Sequence, residues 1–400
     1  MTNDHRSNSN PILPGATIGM LGSGQLGRMT AMAAKHMGYR VHVLSPDKDS
    51  PAGQVADLEI QAQYTDIAAV EAFAKQVDVV TLEFENLPVE TLEAAGRYAP
   101  VRPGVETLAT AQNRSLEKNF LKAHGIPTCR FEIVRSLAEL TTAAESMLPA
   151  ILKTVTDGYD GKGQVVIRDE SELESAWEIL QTKEAILEAF VNYDFEFSVV
   201  AARNPAGQFA AYSAITNEHQ NQILDVSYSP SNLSEELNAT AVDVVSRIMQ
   251  ALNTVGVLCV EFFCCDGQAF VNEIAPRPHN SGHLTIEAHA TSQFEQQVRS
   301  VCGLPLGSTE QKMPAAMANL LGQQWSNGEP KWDQALSMPK VKVHLYGKAK
   351  AVADRKMGHL VAIAPTVEQS RKDVAAAREL LGSNSQSDNQ KQSAGPTHAV

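Results

Sequence analysis

The 400-residue sequence contains no run of about 18 apolar residues, so it offers no candidate membrane-spanning helix. Its first fourteen residues, MTNDHRSNSNPILP, lack the apolar core of a secretory signal. Positive charge is in deficit: 33 Lys and Arg stand against 46 Asp and Glu, a formal net charge of −13. A surface that tracks nucleic-acid phosphates or an anionic membrane needs clustered cations, so this balance argues against both partners. It leaves a small anionic substrate open, because that needs only a local basic pocket. Cysteine is scarce: there are five, Cys264 and Cys265 are adjacent, and no two have the C-x2-C spacing of a zinc site. Reduced, buried thiols in a cytoplasmic protein are the expectation.

What is present is globular: 43% hydrophobic and 20% charged residues, in a chain long enough for about two to four domains. After a tail at 1–14, expected to be disordered, the chain reads strand, glycine-rich turn, helix, strand. The apolar run at 16–21, helical spacing over 26–37, and Val41, Val43 and Leu44 make a βαβ unit. A strand at 77–84 and a helix at 89–100 extend it, so residues 15–112 are expected to form a Rossmann-like parallel α/β domain. From Asn113 the pattern changes. A helix over 114–125 ends at Gly125, a suitable C-cap. Apolar runs at 151–155, 163–169, 185–191, 195–203, 209–215, 255–263 and 269–274 then read as strands joined by short turns. Residues 113–312 are therefore read as an α+β domain. Strands at 315–322, 342–349 and 354–363 and a helix at 367–382 make a small C-terminal domain, 313–382, before a second disordered tail at 383–400.

Gly22, Gly24 and Gly27 form G-x-G-x-x-G between strand and helix, and Asp47 lies 20 residues on. This much fits a nicotinamide-dependent oxidoreductase, or simply a tight turn closing a βαβ unit. The stretch Lys153 to Gln164 is more specific. A lysine inside an apolar strand precedes the glycine-rich segment DGYDGKGQ at 157–164. Polyphosphate binding asks for that pair: a lysine to neutralise charge and backbone N–H groups to close over oxygens. It is neither G-x-x-x-x-G-K-[ST] nor the kinase glycine loop. In EAFVNYDFE at 188–196, Glu188 would end a strand and leave backbone groups of Ala189, Phe190 and Val191 to meet an adenine edge. Its carboxylate would take the exocyclic amine, and Glu196 would hold ribose hydroxyls. A hairpin around Asp266-Gly267 carries Glu261 and Glu273. A three-residue connection puts the two glutamates opposite each other. A two-residue turn puts Glu261 opposite Asn272. Opposed carboxylates repel, so opposition implies a cation between them, and hard oxygen ligands beside phosphates suit Mg²⁺.

Together these motifs resemble the ATP-grasp superfamily and, within it, the N5-carboxyaminoimidazole ribonucleotide synthases, ATP-dependent carboxylases of purine synthesis. The resemblance runs from about Ile18 to Ala364. It rests on GSGQLGRM at 22–29, EFEN at 83–86, DGYDGKGQ at 157–164, NEIAPRPHNSGH at 272–283 and the spacing of Lys348 to Arg355. It implies that Arg114, Lys153 and the loop Gly158, Tyr159, Asp160, Gly161, Lys162, Gly163 and Gln164 hold ATP phosphates. Glu188 to Val191 would meet adenine, Glu196 the ribose, and His219 and Asn272 would complete the nucleotide site. Glu261 and Glu273 would bind Mg²⁺, with Mn²⁺ as a substitute. The N-terminal glycine turn would serve a ribonucleotide rather than a dinucleotide. Gln25 and Leu26 would touch it, Glu85 would meet its ribose, and Lys348 and Arg355 would clamp its phosphate. Tyr159, Asp160, Lys162, Arg277, His279 and Asn280 would lie where the reacting ends meet. A homodimer is also implied.

The implied chemistry is the carboxylation of aminoimidazole ribonucleotide by ATP and bicarbonate through carboxyphosphate. Lys153 would stabilise the moving phosphoryl group, Arg277 would hold bicarbonate, and His279 or Asp160 would take the amine proton. Three rivals differ in what they predict. A formate-using ATP-grasp transformylase keeps the nucleotide site and changes the acceptor. A dinucleotide oxidoreductase binds NAD and ignores Mg²⁺. A regulatory nucleotide-binding protein has no need of a metal pair.

Overall fold

The computed structural model describes residues 10–156 and 163–382. Gly158, Tyr159, Asp160, Gly161 and Lys162 lie outside the described residues, as do most of the N-terminal tail and all of the C-terminal one. Among the described residues no helix is long and apolar enough to cross a membrane.

The first sheet has β1 (Thr17–Leu21), β2 (Arg40–Ser45), β3 (Leu58–Gln61) and β4 (Val79–Leu82) in the order β3-β2-β1-β4, all parallel. β1 and β4 are buried along their whole lengths, because helices cover both faces of a parallel sheet; this is why both are mostly apolar, with the buried Thr81 hydroxyl accepting from Gln297 Nε2 at 2.8 Å. The helix Gln25–His36 completes the expected βαβ unit and packs against the helix Gln293–Val301 through Ala31, Ala34, Val298 and Val301. The ordered chain begins before Gly15, a correction to the expected tail: Ile12 N–H donates to Cys302 O at 2.8 Å, and Tyr39 Oη donates to Ile12 O at 2.7 Å.

The second sheet is antiparallel: β5 (Phe131–Val134), β6 (Ala150–Thr154), β7 (Gln164–Ile167) and β8 (Ala185–Ala189), in the order β5-β8-β6-β7. The helices Leu137–Ala144 and Leu173–Leu180 cover one face, packing Leu140 and Leu173 on Leu152 and Leu187. Strand alternation then turns Ile151, Lys153 and Glu188 to the other face.

The third sheet holds β9 (Phe195–Arg203), β10 (Phe209–Ala211), β11 (Ile215–Gln220), β12 (Ile223–Ser229), β13 (Gly256–Cys265), β14 (Gln268–Ala275), β15 (Ala315–Leu321), β16 (Val341–Leu345) and β17 (Lys356–Ile363). Its order is β14-β13-β9-β11-β12-β15-β17-β16, antiparallel throughout, with β10 alongside β9. The strands at the C-terminal end thus continue the large sheet through the β12–β15 pairing. Strands β3, β5, β11 and β12 and the helices Ile67–Ala74, Val105–Gln112, Leu137–Ala144, Leu173–Leu180, Glu235–Ala251 and Gln293–Val301 are among the additions to the sequence reading.

One face of the large sheet is apolar throughout: Phe197, Val199, Val260, Phe262 and Ile274 pack under Val245 and Ile248 of the helix Glu235–Ala251. The other face changes character along its length. Val200, Cys259 and Ala275 pack against Leu284 and Ala288. Two residues along the same strands stand Ser198, Glu261 and Glu273, then Glu196. Core becomes polar cleft within one step of the pleat.

The hairpin differs from both alternatives. The turn has two residues, Asp266 (φ 48°) and Gly267 (φ 72°), and pairs Cys265 with Gln268 and Phe262 with Val271. The register then shifts, so Glu261 faces Glu273. Asn272 is the extra residue of a β-bulge. The turn is the one that predicted Glu261 against Asn272, and the bulge restores the opposed carboxylates.

Candidate active site

At the glycine turn Gly22 has φ +103°. A Cβ there would lie 2.5 Å from Glu83 Cγ, and one on Gly24 would lie 2.9 Å from Glu83 Oε1. The glycines are required because the Glu83 side chain sits in the turn. The N–H groups of Gly24 and Gly27 both donate to its carboxylate, the second at 2.7 Å. Burial pushes this carboxyl up, against the pull of those N–H groups and of Arg277 and Lys348 nearby. The seat a pyrophosphate would take is filled by an internal carboxylate, which removes the physical basis of the dinucleotide reading. Gln25 opens the following helix, half-buried. Leu26 packs inward with Met29, Phe294 and Tyr346.

Two residues assigned to different ligands are paired here with each other. Arg277 Nη2 donates to Glu85 Oε1 at 2.8 Å, and Nε donates to Oε2. Burial would raise Glu85, but the guanidinium outweighs it and holds the carboxyl low. His279 Nε2 lies 2.9 Å from Glu261 Oε1, and its Nδ1 lies 2.9 Å from Ser281 Oγ, which meets Ser198 Oγ at 2.7 Å. Burial pushes His279 down, but Cys259 and Glu261 outweigh it and hold the imidazole up to about 10. Asn280, read as a substrate contact, exchanges amide hydrogen bonds with Asn319 at 3.1 and 2.7 Å. Both of its polar ends meet β15 through that residue.

On the nucleotide side Lys153 Nζ meets Glu188 Oε2 at 2.7 Å, and Lys118 Nζ stands 3.9 Å from Glu188 Oε1. Burial would raise Glu188, but Lys118 and then Lys153 hold it down to about 2. Its carboxylate therefore bonds Lys153 and faces Lys118. Ala189 N–H and Phe190 N–H point to Arg130 O and Pro149 O, both at 2.9 Å. An adenine edge cannot use those two donors, which narrows the expectation to Val191 and the carbonyls. A pocket lined by Cys129, Ile151, Lys153, Val191 and Phe263 stands there. Tyr193 stacks on Phe263, with centroids 4.7 Å apart, and donates to Glu196 Oε1 at 2.7 Å. His219 Nδ1 lies 3.1 Å from Glu196 Oε2. Burial lowers His219, but Glu196 prevails and raises it. Arg114 Nη1 donates to Thr154 O at 2.9 Å, beside Lys153.

Glu261 and Glu273 face each other, both lining the cleft. Burial and the Glu261 charge push the Glu273 carboxyl up. Burial also opposes the charge on Glu261, but His279 outweighs it and holds that carboxyl down. Glu196, His219 and Glu261 also offer ligand atoms within 4.8 Å of one another. In that group the imidazole is already bonded to Glu196.

Lys348 and Arg355 lie in the connection between β16 and β17, at one end of that antiparallel pair. Lys348 Nζ donates to Lys356 O at 2.6 Å, and Gly347 O accepts from Gln54 Nε2 at 3.0 Å. The connection therefore touches the first domain beside the glycine turn. Arg355 Nη1 donates to Lys350 O at 3.2 Å.

The sequence reading gives no role to Lys118, Glu117, Glu83 or Tyr193. A signal was available for the first two. In RSLEKNFLKA, Leu121 is the inward residue, and positions three and four before it, Lys118 and Glu117, share its helix face. Charges on the buried stripe of an amphipathic helix mark work for them to do.

Known proteins resemble the chain over nearly its whole length. A ribonucleotide synthetase preATP-grasp domain matches residues 15–112, an ATP-grasp domain 119–294, and a phosphoribosylaminoimidazole carboxylase C-terminal domain 315–373. The N5-carboxyaminoimidazole ribonucleotide synthase of Bacillus subtilis (strain 168) is 43% identical over 351 residues, 87% of this chain and 92% of the relative. A crystal structure of an N5-carboxyaminoimidazole ribonucleotide synthetase in complex with ADP has a TM-score of 0.87 at 41% identity, covering 92% of this chain and 97% of its own. The Aspergillus clavatus synthase in complex with ADP and 5-aminoimidazole ribonucleotide has a TM-score of 0.84 at 29% identity, covering 92% and 98%.

Proposed function

The chain belongs to the N5-carboxyaminoimidazole ribonucleotide synthase family, an ATP-grasp family, and we propose that it carboxylates 5-aminoimidazole ribonucleotide with ATP and bicarbonate in purine synthesis. One observation carries the reading: the opposed carboxylates Glu261 and Glu273 lie within electrostatic reach of Arg114, which bonds the end of the Lys153 strand, and of Glu85, which pairs with Arg277. In the proposed reaction a bicarbonate oxygen attacks the γ-phosphorus, the bond to ADP breaks, and carboxyphosphate forms. Its C–O bond then breaks to give CO₂ and phosphate. The exocyclic amine attacks the CO₂ carbon and loses a proton.

The donor set fits a hard divalent cation, since Glu261 and Glu273 are directly opposed carboxylates reached from solvent. Glu261 and Glu273 would hold Mg²⁺, which when bound offsets charge on the phosphate oxygens. Lys153, Arg114, Gly163 and Gln164 are assigned to the phosphates; Glu196 and His219 are assigned to the nucleotide sugar. Arg277 is assigned to bicarbonate and Glu85 to the acceptor's ribose, so substrate entry exchanges their mutual pair for two ligand contacts. Lys348 and Arg355, at the same strand-pair end, are assigned to the acceptor's phosphate. His279 Nε2 is engaged by Glu261, and His279 and Asp160 are both assigned as candidates to take the amine proton.

The five cysteines are free thiols, in keeping with a reducing cytoplasm. The family resemblance supports a homodimer, which analytical sedimentation tests. The assay for function is ADP release with Mg²⁺ and bicarbonate, with and without aminoimidazole ribonucleotide. Strong dependence on the ribonucleotide is expected. Stimulation by formate and glycinamide ribonucleotide instead would keep the nucleotide site and overturn the acceptor.

A further inference from the structure

β14 is an edge strand with a bulge at Asn272, and its outward backbone groups on either side of Glu273 have no further strand to meet. Those groups are met by two consecutive side chains of the helix Arg114–Ala123. Ile274 N–H donates to Glu117 Oε2 at 2.8 Å, and Lys118 Nζ donates to Asn272 O at 2.7 Å. Lys118 also reaches Thr128 Oγ1 at 3.0 Å, and that hydroxyl donates to Val271 O at 2.8 Å. Glu117 and Lys118 are 3% and 1% exposed, so water does not compete for either. β14 is the edge of the large sheet, and its outer side takes these contacts in place of a further strand.

The two residues bracket Glu273: one holds the carbonyl before it, the other the amide after it. Without the bulge the two-residue turn would leave Glu261 facing Asn272. We infer that Glu117 and Lys118 are positioning residues that hold the Asn272 bulge and thereby keep Glu273 opposite Glu261 for divalent-cation binding. The inference rests on the reading of Glu261 and Glu273 as cation ligands. Lys118 has a second partner, Glu188 on β8, so it ties the bulge to the nucleotide side. Glu117 carries the test, because its contact with the bulge is the single hydrogen bond from the Ile274 amide.

The experiment is Mn²⁺ binding, followed by electron paramagnetic resonance at saturating ADP, alongside ADP affinity in excess chelator. Glu117→Ala should weaken Mn²⁺ about 10–100-fold, the range for losing a group that orients a metal ligand, with ADP affinity in chelator changed less than about threefold. Glu117→Gln keeps an oxygen for the Ile274 amide and should bind Mn²⁺ as the parent does. If Glu117→Ala does not fold, Glu117→Asp, one methylene too short to reach the amide, takes its place with the same expected loss. A folded Ala or Asp variant that binds Mn²⁺ like the parent overturns the positioning role. So does Glu117→Gln binding as weakly as Ala. A parent protein that binds no Mn²⁺ overturns the cation reading itself, and the inference with it.

Discussion

The glycine turn after β1 and the bulge in β14 use one interaction to opposite ends. In each, a buried carboxylate accepts backbone N–H groups that the local geometry has freed: Glu83 takes those of Gly24 and Gly27, and Glu117 takes that of Ile274. At the turn the carboxylate occupies the place where a ligand anion would sit, so a phosphate-binding motif is closed from within. At the bulge it works from behind the strand, and the strand's own carboxylate, Glu273, is turned into the cleft. A glycine pattern therefore says that backbone is exposed, not what covers it.

The comparison can be broken at three points. The largest effect is expected from Glu273→Gln. It removes one of two opposed carboxylates, and ribonucleotide-dependent ADP release should fall about 100–1,000-fold, as for loss of a group aimed at developing charge. Thermal stability without metal should hold or rise, because a repulsive pair has been relieved. A loss of both activity and stability would mean that the pair is structural.

Glu188→Gln comes next. It strands the buried Lys118 and Lys153, and removing one partner of a buried pair costs about 3–5 kcal/mol. The pH dependence has a definite sign. Glu188 titrates at about 2 in the fold against an ordinary 4.5, so its stabilisation is fully present above about 4.5 and is lost as pH falls towards 2. Urea unfolding of both proteins should show a gap at pH 7 that narrows steadily below pH 4.5. A gap independent of pH would place the effect in packing rather than charge.

Glu83→Ala should cost least, about 1–3 kcal/mol for leaving buried N–H groups unpaired. It should also reopen the turn. Millimolar inorganic phosphate should raise the melting temperature of this variant and leave the parent unmoved. An equal response in both would show that the turn was never closed.

Local periodicity made the βαβ unit legible, along with most strands of the two antiparallel sheets and the place of the hairpin turn, though not its length. The bulge was not legible, because loop length fixes register only as far as the strand stays regular, and the extra residue stands five positions past Gly267. The Glu85–Arg277 pair joins residues 192 apart, and Asn280–Asn319 joins residues 39 apart. Such partners follow from the packing of whole elements and leave no trace in spacing. Glu188 shows the same limit from the other side. Its strand-end position was visible, but the two lysines that occupy its carboxylate come from a helix and a different strand.

The account stands on activation of bicarbonate by phosphoryl transfer in this cleft. The direct measurement is the reaction with ¹⁸O-labelled bicarbonate, followed by mass spectrometry of the released phosphate. The account predicts one labelled oxygen per phosphate, formed only when aminoimidazole ribonucleotide is present. Unlabelled phosphate at full ADP yield would contradict it, since the phosphoryl group would then have gone to water or to the acceptor and not to bicarbonate.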